Sequence, residues 1–159
     1  MEEAMAFEVL QIERPSHRET AQVLARSLKD DPTIVSIFRG VSVAGRVKRL
    51  TDAFVAMLAA ASKKGLVLGV WEDRHIAGAA IVHPPGAYPL PTVAQVVILA
   101  RFIVRNGTGG VGRWLSLLSA YNKHHVKESH YYLELIGVEP ARQRQGIGRS
   151  RGPRGPRSW

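Results

Sequence analysis

The residues best placed to do chemistry lie together in one stretch, Leu133-Glu134-Leu135-Ile136-Gly137-Val138-Glu139-Pro140-Ala141-Arg142-Gln143-Arg144-Gln145-Gly146-Ile147-Gly148. A run of strand formers meets a proline, a short donor-rich loop follows, and glycines mark the entry to a helix near Gly146. Such a turn presents unpaired backbone N–H groups at the positive end of a helix dipole, and glycine lets an anion approach the main chain closely. The predicted chemistry is the cradling of a phosphate. Arg142 and Arg144 add charge beside it, each contact worth about 1.5–3 kcal/mol when sheltered from solvent.

Two other constellations compete with this one. Gly107-Thr108-Gly109-Gly110-Val111-Gly112 matches the dinucleotide pattern G-x-G-x-x-G, which would need Gln95 to Val104 to be a strand. The next acidic strand-end residue, Glu139, follows Gly112 by 27 residues, too far for a ribose-binding acid, so a helix connector is the preferred reading. His124, His125 and His130 stand without the carboxylate of an H-E-x-x-H arrangement, and they read as solvated rather than as metal ligands. Zero cysteines exclude disulfides, thiolate nucleophiles and sulfur-bound zinc.

The segment from Leu133 to Gly148 resembles motif A of the GNAT superfamily of N-acetyltransferases. There a strand ending in Val-x-Pro leads to Gln/Arg-x-x-Gly-x-Gly/Ala at a helix start; here the residues are Gln143-Arg144-Gln145-Gly146-Ile147-Gly148. The resemblance implies that acetyl-CoA is the co-substrate. It assigns the backbone of Ile136, Gly137 and Val138 to the pantetheine arm, and Gln143, Arg144, Gln145, Gly146, Ile147 and Gly148 to the pyrophosphate. The N–H of Val138 would polarise the thioester carbonyl. Arg144 stands where the family more often has glycine. Acetyl transfer needs a neutral amine, and an alkylamine has a pKa near 10, so a base must remove a proton. Glu134, on the motif strand, is the candidate. Asp30 and Asp31 resemble positions bordering the acceptor site. The acceptor would be a small-molecule or peptide amine; no metal is implied.

The elements that must position these residues are legible in the periodicity. Phe7 to Ile12 reads as a strand, and Ser16 with Glu19 fits a capping box opening a helix that stops at Asp30-Asp31-Pro32. Leu50, Phe54, Met57, Leu58 and Ala61 share one face of a second helix. Leu66 to Trp71 and Ile76 to His83 form an antiparallel hairpin around Glu72-Asp73-Arg74-His75. Pro91 suits a helix start, so Thr92 to Arg105 and Val111 to Asn122 read as two helices inserted before the motif strand, Tyr131 to Val138. On that strand Tyr132, Glu134, Ile136 and Val138 should share one face. The expected class is α/β, GNAT-like, with a mixed and mainly antiparallel sheet flanked by helices and incomplete at the C-terminus.

Composition sets the rest. The 159 residues carry a net charge of +9, and the last eleven, Arg149 to Trp159, hold four arginines and no acid. Residues 1–148 are read as one incomplete acetyltransferase-like domain and 149–159 as a disordered Arg/Gly/Pro tail. The family's later strand, its helix with a tyrosine general acid, and its closing hairpin have no counterpart after Gly148. An altered coding frame would explain the abrupt change. Two functions stay open: an N-acetyltransferase impaired by that loss, or a non-catalytic remnant whose basic tail holds phosphates without sequence selectivity. An NAD(P)-binding oxidoreductase fragment ranks below both. An exposed motif-strand edge would invite pairing into a homo-oligomer. Specific nucleic-acid recognition and membrane insertion are not expected, and the acidic Met1-Glu2-Glu3-Ala4-Met5 start is unlike a secretory signal, so a cytoplasmic location is expected.

Overall fold

The computed structural model describes residues 7–149, in the order β1 (Val9–Gln11), α1 (His17–Leu28), α2 (Pro32–Ile37), α3 (Val43–Ala61), β2 (Leu66–Glu72), β3 (His75–His83), α4 (Thr92–Asn106), α5 (Val111–His124) and β4 (Tyr132–Val138). Apart from Arg149, the tail expected over 149–159 lies outside the described residues, as does the acidic start. The four strands form one antiparallel sheet in the order β1-β2-β3-β4. This is the α/β architecture expected, with helices flanking a sheet that is wholly antiparallel among the described residues. Among those residues no helix is long and apolar enough to cross a membrane.

The core lies between the sheet and α1 with α3. Helical spacing puts Val23 and Leu24 of α1 and Leu50, Phe54, Leu58 and Ala61 of α3 on the buried side. They pack against Val67, Ala79 and Ile81 of β2 and β3, which alternate onto the same sheet face, and against Ile76, which a register shift between Val70 and Trp71 brings to that face. The β2–β3 hairpin closes through Asp73 and Arg74, both at positive φ (46° and 68°), as a tight two-residue turn matching the strand twist requires. A second, smaller cluster on the opposite sheet face joins Val9, Val70, Ala77 and Ile147.

Three expectations change, and one rival reading falls. Ser16 precedes α1 but its side chain makes no capping bond, and Glu19 instead reaches across to accept the Ile76 N–H at 3.1 Å; the carboxylate ties α1 to the sheet rather than closing a box. Asp30-Asp31-Pro32 ends one helix and starts another: Asp31 caps α2, its Oδ1 accepting from Thr33 N–H at 2.8 Å and Ile34 N–H at 3.3 Å. The segment from Gln95 to Val104 lies within α4, so the strand that a G-x-G-x-x-G dinucleotide site needs is absent and the oxidoreductase reading falls.

The last change concerns β4. Ile81 pairs with Leu135 but Val82 pairs with Leu133, leaving Glu134 as the extra residue of a β-bulge. The alternation expected along the strand is therefore broken at Glu134. Leu135 and Gly137 face α1, Val138 faces the smaller cluster, and Tyr132, opposite His83, is carried to the side of Leu135.

Candidate functional site

β4 is the edge strand of the sheet, and its geometry determines what the motif can offer. The Glu139 N–H donates to Ala77 O at 2.8 Å, so amides at alternate positions along β4 point toward β3 and those of Ile136 and Val138 point away, to the open edge. Gly137 has a different task. A Cβ built on it would lie 2.0 Å from Ser27 Oγ and 3.0 Å from Ser27 Cβ, so only glycine lets α1 sit this close to the strand. Arg26 of α1 grips the end of β4 by a two-pronged bond, its Nε and Nη2 donating to Glu139 at 2.7–3.0 Å.

The loop beyond Pro140 begins with one 3₁₀ turn, Pro140–Arg142, and ends with another, Ile147–Arg149. The helix expected to open near Gly146 is represented among the described residues by that second turn alone. Arg144 and Gly146 both take positive φ (66° and 86°). The left-handed backbone at Arg144 accounts for the family's preference for glycine there, since a side chain is disfavoured but not forbidden. Among the described residues, the amides of Arg144, Gln145, Gly146, Ile147 and Gly148 have no hydrogen-bond acceptor, whereas those of Arg142, Gln143 and Arg149 donate to carbonyls within the loop. Five successive free donors at the end of a strand can receive an anion.

The side chains mostly hold the loop rather than face a ligand. Gln143 Nε2 donates to Val138 O at 3.2 Å and Gln145 Nε2 to Ala141 O at 3.3 Å. Arg142 pairs with Glu72 at 2.9 Å, which leaves Arg144 and Arg149 as the exposed cations of the loop. Ile147, buried against Val9, Val70 and Ala77, pins the loop to the sheet.

Glu134 lies on the other side of the same strand. The bulge brings its Oε2 to 2.7 Å from Nε2 of His83, which is fully buried. With Nε2 protonated, the imidazole donates and fixes the carboxylate; Nδ1, beside Gly65, has no partner among the described residues. Glu134 lines a cavity of about 240 Å³ between the loop Tyr88-Pro89-Leu90 and helices α3, α4 and α5. Tyr88 and Tyr132 lie beside it with their rings tilted by 34° and centroids 4.2 Å apart, and His125 packs on both. Burial first, then the neighbouring Tyr132 and Glu134, push the Tyr88 pKa well above its ordinary value. Burial likewise raises Tyr132, so both phenols stay protonated at neutral pH.

The aspartates do not join this cavity. Asp30 is exposed and pairs with Lys29 and with Arg46, whose guanidinium is 3.3 Å away, while Asp31 is committed to capping α2. His125 and His130 belong to the aromatic group around Tyr132, a placement their sequence neighbourhood did not reveal. Among the described residues no group of three His, Cys, Asp or Glu side chains is placed to hold a metal. Sequence reasoning missed Tyr88, and of His83, at a strand end beside Pro84, it allowed only that the side chain could line a cleft. Their only signal was the break His83-Pro84-Pro85-Gly86 at the end of a strand.

No family model matches the sequence, and no curated protein matches it. Among solved structures the chain is similar to one described as histone acetyltransferase HPA2 and related acetyltransferase, from Corynebacterium glutamicum ATCC 13032. The TM-score is 0.60 with 17% identity, over 92% of this chain and 67% of that one. This chain has the GNAT fold. At that identity the likeness is one of backbone arrangement, and it fits the GNAT order of strand, helices, hairpin and motif strand found here. Within the GNAT fold of this chain, α4 and α5 intervene between the hairpin and the motif strand and wall the cavity into which Glu134 looks.

Proposed function

We propose that this chain binds acetyl-CoA and transfers its acetyl group to a primary amine. The observation that supports this best is the continuity of donors along β4 and its loop: outward amides at Ile136 and Val138, then the free amides from Arg144 to Gly148. An extended arm carrying amides can pair with the strand edge while a pyrophosphate meets the loop, so these residues fit the coenzyme's two polar regions. Bound there, acetyl-CoA supplies a thioester carbonyl carbon open to attack. Val138 N–H is the donor for the carbonyl oxygen, and its position on a rigid strand needs no reorganisation during reaction.

Glu134 takes the proton. An amine entering the cavity arrives as an ammonium ion; its proton passes to the Glu134 carboxylate, held by His83, and the neutral nitrogen forms the new C–N bond as the C–S bond breaks. As the amide forms, the nitrogen sheds a second proton, which goes to the leaving thiolate to give CoA-SH, and Glu134 returns the first proton to solvent. Asp30 and Asp31, proposed from sequence as acceptor-side residues, act at most on the approach to this site, since their carboxylates are occupied by Arg46, Lys29 and the α2 amides.

Calorimetry of the folded chain with acetyl-CoA and with CoA tests the binding claim, and release of free thiol in the presence of amines tests the transfer. Glu134→Gln is expected to lower kcat by about 10²–10⁴-fold, the usual contribution of a general base, with acetyl-CoA affinity unchanged. Folded protein that binds neither form of the coenzyme refutes the reading.

A further inference from the structure

The cavity beside Glu134 carries information about which amine it takes. Its walls are Met57, Leu90, Val96, Leu99, Trp114 and Leu118, and among its lining residues Glu134 alone is charged. At about 240 Å³ it falls below the roughly 300–1,000 Å³ of pockets that hold drug-sized ligands. Glu134 presents Oε1 without a hydrogen bond among the described residues, because His83 engages only Oε2. The carboxylate is itself mostly buried, with 13% of its side chain exposed, so an ammonium ion meeting it is only weakly screened. The rim is apolar too: Val96 and Leu115 are about half exposed at the mouth.

We infer that the acceptor is a small primary amine with one cationic head and an apolar body, such as an arylalkylamine, and that polyamines, amino sugars and basic peptides are poor acceptors. This rests on the transferase reading above. One buried carboxylate neutralises one ammonium. A second cation on the same molecule would have to sit among Leu99, Trp114 and Leu118 without a partner, and an unpaired charge in an apolar wall is strongly disfavoured. An amino sugar's several hydroxyls would meet mostly apolar walls, where the polar side chains are Tyr88, Thr92, Gln95 and Asn122 and the Gln95 amide already donates to Leu90 O at 2.6 Å. An aryl or alkyl body is matched by Trp114 and the aliphatic walls, whose burial supplies affinity without further polar contacts. The net charge of +9 acts against polycations in the same sense.

The experiment titrates the full chain by calorimetry with 2-phenylethylamine, 2-phenylethanol and spermidine, and then offers the two amines as acceptors with acetyl-CoA. Expected are binding of phenylethylamine at least about tenfold tighter than either comparator, a difference of about 1.4 kcal/mol, and the same order in kcat/KM. Glu134→Gln should reduce phenylethylamine affinity at least about tenfold. Leu115→Lys, a change at the exposed rim that leaves the core intact, should reduce it at least about threefold by placing a like charge at the mouth. Spermidine binding or reacting as well as phenylethylamine overturns the inference, as does phenylethanol binding equally well, or wild-type affinity in both variants. A chain that turns over acetyl-CoA with spermidine as the better acceptor refutes this inference alone. A chain that binds phenylethylamine with the stated order but no coenzyme refutes the transferase and leaves the cavity's selectivity standing.

Discussion

Gly137→Ala is the change whose cost can be worked most directly from the structure. The new methyl group would stand 2.0 Å from Ser27 Oγ, 3.0 Å from Ser27 Cβ and 3.1 Å from Leu24 Cδ2. Ser27 can swing its hydroxyl away at the loss of its bond to Leu24 O, 2.9 Å long, but its Cβ is fixed to the helix backbone and Leu24 is fully buried. Helix α1 must therefore lift from β4 by several tenths of an ångström. Overpacking of this kind costs about 1–3 kcal/mol, partly offset by about 0.4–1 kcal/mol from the stiffer unfolded chain, so a net loss of about 1–2 kcal/mol is expected. Urea unfolding followed by Trp fluorescence measures it. In a Ser27→Gly background, where the obstructing Cβ is gone, Gly137→Ala should cost at least about 1 kcal/mol less than in the wild type, an interaction energy a double-mutant cycle isolates. A penalty under about 0.5 kcal/mol in the wild type, or the same penalty in both backgrounds, refutes the close-approach argument.

Three further outcomes follow from the same geometry. Gly146→Ala meets no atom within 4 Å of the added Cβ, but φ is +86°, so a loss of about 1–2 kcal/mol is expected from backbone strain alone, with weaker coenzyme binding measured in the same samples. His17 is buried with Nε2 unpartnered, and burial, then nearby Arg14, lowers its pKa below the ordinary 6.5. The unfolded chain thus binds the proton first, stability falls as pH drops below about 6.5, and His17→Gln should flatten that part of a denaturation-versus-pH curve. Tyr88 has its pKa raised, so the folded state keeps the proton longer than the unfolded one; stability is full below about pH 10 and declines above it, and Tyr88→Phe should lessen the alkaline decline.

Periodicity was enough to locate nearly every element, because the signals are local: short apolar runs bounded by polar turns in β2 and β3, alternation in β4, a 3.6-residue apolar stripe in α3, prolines at Pro32 and Pro91. The failures are those of reading side chains locally when their partners are distant. Glu19 satisfies the spacing of a capping box with Ser16, yet a sheet amide 57 residues away offers it a better use. Asp31 reads equally well as a helix end or a helix start, and the six-residue α2 is too short to show a period. The candidate site divides in the same way. The donor loop is encoded by glycines and a proline next to a strand and was visible as such, whereas the His83–Glu134 pair joins residues 51 apart through a register shift that no spacing rule contains.

That register shift is what makes one strand serve two purposes. In a regular antiparallel strand, Glu134 would lie on the same face as Ile136 and Val138, beside the smaller cluster where Ile147 anchors the loop. A carboxylate there would be turned away from the cavity and would lack His83. The extra residue at Glu134 resets the phase, so that positions N-terminal to it turn toward α4, α5 and Tyr88, while Ile136 and Val138 keep their amides on the open edge. A bulge leaves its extra residue unpaired with the neighbouring strand, which frees Glu134 to follow its side chain rather than the ladder. The acid that would receive a proton and the amide that would hold an oxygen are thus set four residues apart on a single edge strand. Restoring the register by deleting Leu133 would return Glu134 to the pairing line and separate it from the cavity.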